Sequence, residues 1–429
     1  MGRFDRGRKV AAVGLVAVLV AAACSSSKKS SATGTTAGAV GSASTAAASA
    51  SVAASGPGIT ASTITAGILA DVSGPVPGLF QGGVNGVDAY FQYINSIGGV
   101  DGRKLAMKFQ DSGLTCAGAQ NAATALAPST FAIVGSWADF DNCEVPVFKA
   151  NPDLVQVGYP LTNDFRVTPN VFTPRPSPAG FYTGPFIYLH QKFPTAVNAA
   201  SLYSGTPAGE VNWKYQSAAL AAAGIKSVYA RGVQPTETDF TSDIIRMKQD
   251  NVQFILEDDV DVRTIARMLN EAQQQNYHPQ VFDAAVGYDA NLFKLANPGA
   301  AEGMWIDEPF SLFLGQDSAS VPEVGLFLQW LKKTHPDSPI DLFAMYSWAS
   351  AALYVQALKN AGPNLTRASF TTALKNIHSF DDNGMVATND PGAGKPPTCW
   401  LLAQVKGNDF ARVTPDKGFQ CDPGGYLNQ

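Results

Sequence analysis

The residues able to do chemistry are few and scattered. His190, His278, His335 and His378 show no His-Glu-x-x-His spacing, so a zinc-bound water has no recognisable ligand set. No Gly-x-Ser-x-Gly elbow presents a nucleophilic serine, and no Gly-x-x-x-x-Gly-Lys-Ser/Thr loop cradles a phosphate. The run Glu257-Asp258-Asp259-Val260-Asp261 lacks the Asp-x-Asp-x-Asp-Gly spacing of a calcium loop. It reads as a loop that caps the following helix through its dipole, with Asp259 the member best placed for a ligand. The chemistry that remains is that of thiols. Cys24 stands alone near the start, and Cys116, Cys143, Cys399 and Cys421 form an even set with no Cys-x-x-Cys pair. Three pairings of the four are possible. In an oxidising compartment the local ones, Cys116–Cys143 and Cys399–Cys421, are expected, each worth roughly 3 kcal/mol.

The compartment follows from the first 58 residues. Arg3, Arg6, Arg8 and Lys9 precede an apolar stretch, Val10 to Ala23, that is short for a membrane span and ends in small residues. Residues 1–23 are expected to be a signal peptide. Val20-Ala21-Ala22-Ala23-Cys24 resembles the lipobox of bacterial lipoproteins, with Ala21 where Leu is usual. The resemblance implies a lipidated Cys24 as the mature N-terminus and attachment to the membrane through its acyl chains. Residues 24–58 are then a tether. From Ser25 to Gly58 only Lys28, Lys29, Val40, Val52 and Pro57 depart from Ala, Ser, Gly and Thr, so nothing there can offset the entropy of ordering.

The chain has 429 residues, of which 45% are hydrophobic and 15% charged, enough for two domains with ordinary cores. A net charge of −5 and no basic cluster beyond the first ten residues exclude nucleic acid as a partner. From Ile64 onward short apolar strands alternate with amphipathic helices. Expected strands include Ile64–Ala70, Leu105–Phe109, Phe131–Gly135, Leu154–Tyr159, Ala199–Ser204, Ser227–Val233, Phe254–Glu257 and Val281–Ala285. Helices fit between them, as at Asn212–Ala223, Phe240–Gln249 and Val262–Asn276. Such alternation predicts an α/β fold of parallel sheets covered by helices, with ligands at the carboxyl ends of the strands.

Particular motifs narrow this further. Gly67-Ile68-Leu69 leads into Ser73-Gly74-Pro75 and a helix containing Gly86. Ile94-Asn95, Gly98-Gly99, Gly102-Arg103-Lys104-Leu105 and Asp111 follow in order. Val134-Gly135, Asp239-Phe240-Thr241, Ala301-Glu302-Gly303 and the aromatic helix around Tyr346 come later. In these features the chain from about Ile64 to about Val405 resembles the type I periplasmic binding proteins, in particular the branched-chain amino-acid-binding group. The resemblance implies two α/β lobes, each a mostly parallel sheet flanked by helices, joined by three crossovers at a hinge. Lobe one would take residues 59–174 and 310–378, and lobe two residues 178–308 and 380–429.

It also implies a site between the lobes. Phe80 falls in the first loop, near an aromatic of the family. Trp137, Asp139 and Phe140 follow the Gly135 strand end, where the family holds a ligand carboxylate. Tyr159 and Thr162 follow the next strand, at the second carboxylate position. Ala208 falls near another aromatic of the family, and Asp259 at a further strand end. Ala285 falls at or near the position where amino-acid binders carry an acid for the ligand ammonium. With Ala285 in that place and Asp139 where a carboxylate would sit, neither leucine nor valine is expected as the ligand. A solute with hydrogen-bond donors and an apolar body suits the pattern better.

The function implied is the extracytoplasmic solute-binding component of an ABC importer, a monomer that needs no cofactor and hands a small organic solute to permease and ATPase subunits. Two other classes stay open. A sensor lipoprotein would use the same cleft, and only its partner would tell the two apart. An enzyme on this scaffold would need a nucleophile–base pair or a metal site.

Overall fold

A computed structural model describes residues 56–175, 180–422 and 424–428. The expected signal peptide, the lipidated Cys24 and nearly all of the tether lie outside the described residues. Among the described residues, no helix is long and apolar enough to cross a membrane.

The first sheet has five parallel strands in the order β2-β1-β3-β4-β5. They are β1 (Thr63–Ala70), β2 (Lys104–Asp111), β3 (Ile133–Val134), β4 (Gln156–Val157) and β5 (Val171–Phe172). β1 is buried along almost its whole length, which accounts for its unbroken apolar run, Ala66 to Ala70. Parallel neighbours need crossovers, and the helix Gln81–Ser96 supplies the first. That helix packs against Leu342–Ala361, a 20-residue helix buried on nearly all sides. Close approach is possible because the contact face is made of glycine. A Cβ on Gly86 would meet the Ala344 carbonyl, and one on Gly83 would meet Trp137 and Ser347. The helix Leu342–Ala361 starts sharply because Asp341 caps it, its Oδ1 accepting from the Ala344 amide at 2.8 Å.

The chain then passes through residues 173–180 into a second sheet. Its strands are β7 (Asn198–Ser204), β8 (Lys226–Val233), β9 (Phe254–Leu256), β10 (Val281–Asp283), β11 (Trp305–Glu308), β12 (Cys399–Lys406) and β13 (Asp409–Thr414). The order is β13-β12-β11-β10-β9-β7-β8, parallel from β8 to β11 and antiparallel at β12 and β13. β14 (Gln420–Cys421) pairs with β12. A separate two-stranded sheet joins β6 (Gly180–Tyr182) to β15 (Tyr426–Asn428).

Mixed α/β architecture with two lobes, read from the alternation and the motifs, is what the structure shows. The helix bounds differ a little: Pro207–Ala222 starts five residues before Asn212, because Thr206 caps it and Pro207 opens it. The two expected disulfides are both present. Cys116–Cys143 ties the helix after β2 to the turn after β3, and Cys399–Cys421 ties β12 to β14.

Candidate functional site

A cavity of about 170 Å³ opens where the strand ends of the two sheets face each other. Lobe one supplies an aromatic wall. Phe80, the residue before the helix Gln81–Ser96, packs edge-on to Phe343 at 4.7 Å and tilts against Trp137 at 5.7 Å. Trp137 follows β3. Its backbone bridges to the end of β1, and its Nε1 donates to Ser347 Oγ at 2.8 Å. The ring stacks on Tyr159 at 5.1 Å, and Tyr159 stacks on Tyr346 at 5.2 Å. The stack ends at Arg175, whose Nη1 donates to the hydroxyls of Tyr159 (3.1 Å) and Tyr346 (3.3 Å). The guanidinium also lies over the Tyr182 ring at 5.3 Å.

The polar groups are mostly acids. Asp139 is held in place through its own amide, which donates to Asp71 Oδ2 at 2.9 Å. Asp71 is itself buried at the end of β1 and accepts from Ser112 Oγ and from the Leu114 amide. The Asp139 carboxyl reaches across the cleft to the Thr206 hydroxyl. On lobe two, Asp258 and Asp259 leave the end of β9. Asp258 Oδ1 accepts from the Ala285 amide at 2.8 Å, and Asp259 accepts from Asn212. Asp259 Oδ2 and Glu308 Oε1 are buried and have no hydrogen-bond partner in the protein. Further polar contacts join the lobes: Arg166 Nη2 donates to Asn212 Oδ1 at 3.0 Å, and Arg263 Nη1 to the Pro77 carbonyl at 3.4 Å.

Burial dominates the electrostatics. It pushes the Asp139 carboxyl up to about 8, with the neighbouring charges of Asp71 and Asp141 adding to the effect. Burial pushes Asp258 up to about 7, against the stabilising Ala285 amide. Asp259 and Glu308 are raised well above the carboxylate range, first by burial and then by acid neighbours. Arg175 is raised despite its own burial, because the tyrosines and Glu308 around it favour its charge.

Seven of the nine residues expected at the site line this one cavity: Phe80, Trp137, Asp139, Tyr159, Ala208, Asp259 and Ala285. Phe140 and Thr162 do not, and each has a local reason. At Asp141–Glu144 the chain turns back as a single 3-10 turn, and Phe140 packs instead against the core cluster that includes Ala119, Ala123 and Leu126 of the helix Cys116–Leu126. Thr162 precedes the short helix Asn163–Arg166 without capping it through its side chain, and its amide and hydroxyl both donate to the buried Asp141. It supports the loop from behind. Of the acidic run, only Asp261 caps the following helix: its Oδ1 accepts from the Arg263 amide and its Oδ2 from Thr264 Oγ1. Glu257 is fully buried and accepts from the Leu202 amide.

Arg175, Glu308 and Phe343 also line the cavity and were not singled out by sequence, and neither Asp258, read as part of a capping loop, nor Tyr346, read as part of a helix motif, was expected there. The available signals were a lone cation in the Pro-rich run Pro174-Arg175-Pro176-Ser177-Pro178 and paired acids at two strand ends, Asp258-Asp259 and Asp307-Glu308. Among the described residues no group of three His, Cys, Asp or Glu is arranged to hold a metal ion.

Two lobes, each with its sheet ends aimed at a shared cavity, define a class of ligand-binding proteins. The family described as periplasmic binding protein matches residues 63–410, most of the chain, and the protein belongs to it. Among solved structures, a fatty acid ABC transporter substrate-binding protein from Thermomonospora curvata is 18% identical. That comparison covers 86% of this chain and 95% of the other, with a TM-score of 0.70. A branched chain amino acid ABC transporter protein from Thermus thermophilus with bound valine is 16% identical, covering 86% and 97% with a TM-score of 0.69. A solute binding protein from R. palustris in complex with 4-hydroxybenzoate is 16% identical, covering 84% and 97% with a TM-score of 0.67. These likenesses establish the fold. No curated protein sequence matches the chain significantly.

Proposed function

We propose that the protein is the solute-binding component of an ABC importer, held outside the cytoplasmic membrane by a lipid on Cys24. In this reading residues 59–174 and 310–378 form lobe one, and residues 178–308 and 380–429 form lobe two. A small organic solute enters between them, and the lobes close on it about the hinge at Arg175 and Glu308. The observation that carries the reading is the cavity itself. It lies at the strand ends of both sheets, and each lobe contributes side chains to it. The three similar structures support it, since they are of ABC transporter or solute-binding proteins with three different ligand types.

Closure costs ordering and desolvation, so the ligand must bind the closed form more tightly by a few kcal/mol to populate it. Trp137 sits in the wall that closure covers and serves as the reporter. Thermal-shift screening identifies ligands through the RT ln(1 + [L]/Kd) they add to stability. Titration of each hit is then expected to change Trp137 fluorescence, a change that Trp137→Phe removes. Cells lacking the protein are expected to lose uptake of the same solute. Binding without loss of uptake would sink the importer role and favour a sensor.

A further inference from the structure

We infer that the ligand carries a positively charged nitrogen head on a small apolar body, with the head clamped between Asp139 of lobe one and Asp259 of lobe two. The inference rests on the solute-binding reading above and narrows it to a chemical class.

Counting charges in the cavity leads there. Five carboxyls line it, Asp139, Asp258, Asp259, Asp261 and Glu308, against one cation, Arg175; Asp261 is already paired with Arg263, which lies outside the lining. Arg175 is already spoken for. It donates to the hydroxyls of Tyr159 and Tyr346, and its charge acts on Asp258 and Glu308. Asp139 and Asp259 line the cavity from opposite lobes, close enough for the Asp139 charge to act on Asp259. Arg166 lies outside the cavity lining; it donates to Asn212 and the Pro160 carbonyl, keeps a buried Nη1 without a partner, and its charge acts on both Asp259 and Asp141. Asp259 Oδ2 is buried without a partner, and Glu308 Oε1, in a side chain only 3% exposed, is likewise unmatched. Buried carboxyls with open acceptor positions call for a donor, and a cation satisfies charge and hydrogen bonding together. A ligand carboxylate would add to the excess.

The rest of the cavity sets the body. Phe80, Trp137 and Phe343 form an apolar wall within reach of the acids. At about 170 Å³ the space takes one ring or a short branched chain. For scale, an engineered apolar cavity of about 150 Å³ in another protein binds benzene. The neighbouring Trp137 and Tyr159 rings add attraction for a cation.

The empty site holds protons where the ligand charge would go. Asp139 faces Asp71, Asp141 and Thr206, and Asp259 faces Asp258, Asp139, Asn212 and Arg166. Burial and the acid neighbours raise both carboxyls, and Asp139, pushed up to about 8, holds a proton at neutrality. A cation must displace a proton to bind. Its affinity therefore rises with pH toward about 8, roughly tenfold per pH unit for one proton released.

The test uses matched series differing only in the head: phenethylamine, 2-phenylethanol and phenylacetate, and isoamylamine, isoamyl alcohol and isovalerate. Affinities are measured by calorimetry at pH 6, 7 and 8, in buffers of different ionisation enthalpy so that proton release is read directly. The amine of a series is expected to bind at least tenfold more tightly than its alcohol at pH 8, to release a proton, and to weaken toward pH 6. Asp139→Asn and Asp259→Asn should each remove that preference, with circular dichroism and the urea midpoint reporting that the fold is intact. If an alcohol or an acid binds as tightly as its amine, the cation clamp is overturned and the solute-binding reading stands. If no member of either series binds, the cation clamp falls, and the solute-binding reading is decided by the thermal-shift screen alone.

Discussion

Gly86→Ala separates two opposed effects of one methyl group. In a helix interior, alanine is favoured over glycine by about 1 kcal/mol, so propensity alone predicts a more stable protein. The structure predicts the reverse. The added Cβ would overlap the Ala344 carbonyl and lie 3.1 Å from the Ala344 Cα, and both atoms belong to backbone that cannot rotate away. The helices Gln81–Ser96 and Leu342–Ala361 must move apart, and overpacking of this kind costs about 1–3 kcal/mol, toward the upper end when backbone resists. The net expectation is a loss of about 2 kcal/mol. Gly325→Ala is the control. Gly325 lies in the helix Pro322–Thr334, and its Cβ would meet only the Ser318 carbonyl oxygen at 3.7 Å, an ordinary contact. There the propensity gain should appear uncorrected, up to about 1 kcal/mol. Urea denaturation followed by far-UV circular dichroism reads both. The same displacement should also weaken ligand binding, because Phe343, Tyr346 and Ser347 ride on the shifted helix. Equal or greater stability in Gly86→Ala would refute the helix contact as described.

Other expectations concern covalent links and pH. Non-reducing peptide mapping should recover Cys116–Cys143 and Cys399–Cys421 and no other pair, and Cys116→Ser with Cys143→Ser should cost about 3 kcal/mol in denaturation. Asp141, pushed up to about 7, and Asp341, pushed up to about 8, are both raised chiefly by burial. They bind protons in the folded state that the unfolded chain releases near pH 4, so their contribution is full at low pH and is lost as pH rises through 7 to 8. The ligand-free protein should therefore have a higher urea midpoint at pH 5 than at pH 8, and a flat or opposite profile would contradict the burial of these acids. Full-length protein should partition into detergent with a lipid on Cys24, whereas Cys24→Ala should be released or left unprocessed. Normal processing and membrane attachment of that variant would remove the lipid anchor from the proposal.

What could be read in advance had local causes. β1, β2 and the helix between them were legible because an apolar run, a helical spacing at Val84, Val87, Phe91 and Ile94, and the stop at Gly98-Gly99 each act within a few residues. Trp137, Asp139 and Asp259 could be placed because they stand just past strand ends, and parallel strand ends gather at one edge of a sheet. Arg175 escaped because a Pro-rich crossover has no periodicity to say which way a side chain faces. Asp258 and Glu308 escaped because an acid at a strand end looks the same in sequence whether water or a cavity receives it. Phe140 and Thr162 were placed one turn too generously, since the reversal at Asp141–Glu144 depends on carboxylate contacts to Leu161 and Thr162 that sequence spacing does not reveal.

The two faces of the cavity are fastened to unequal degrees. Asp139 is tethered by its amide to Asp71, Trp137 is fixed through Ser347, and the Cys116–Cys143 link closes the loop behind them. Asp259, Glu308 and Gln216 across the way each keep a buried oxygen with no protein partner. At the cavity itself, then, the lobe-one residues are held by more cross-links than the lobe-two acids. Over evolutionary time, new ligand preferences would be reached most readily by exchanging side chains at 216, 258, 259 and 308. A change to the lobe-one loop, by contrast, would have to rebuild several mutually dependent contacts at once.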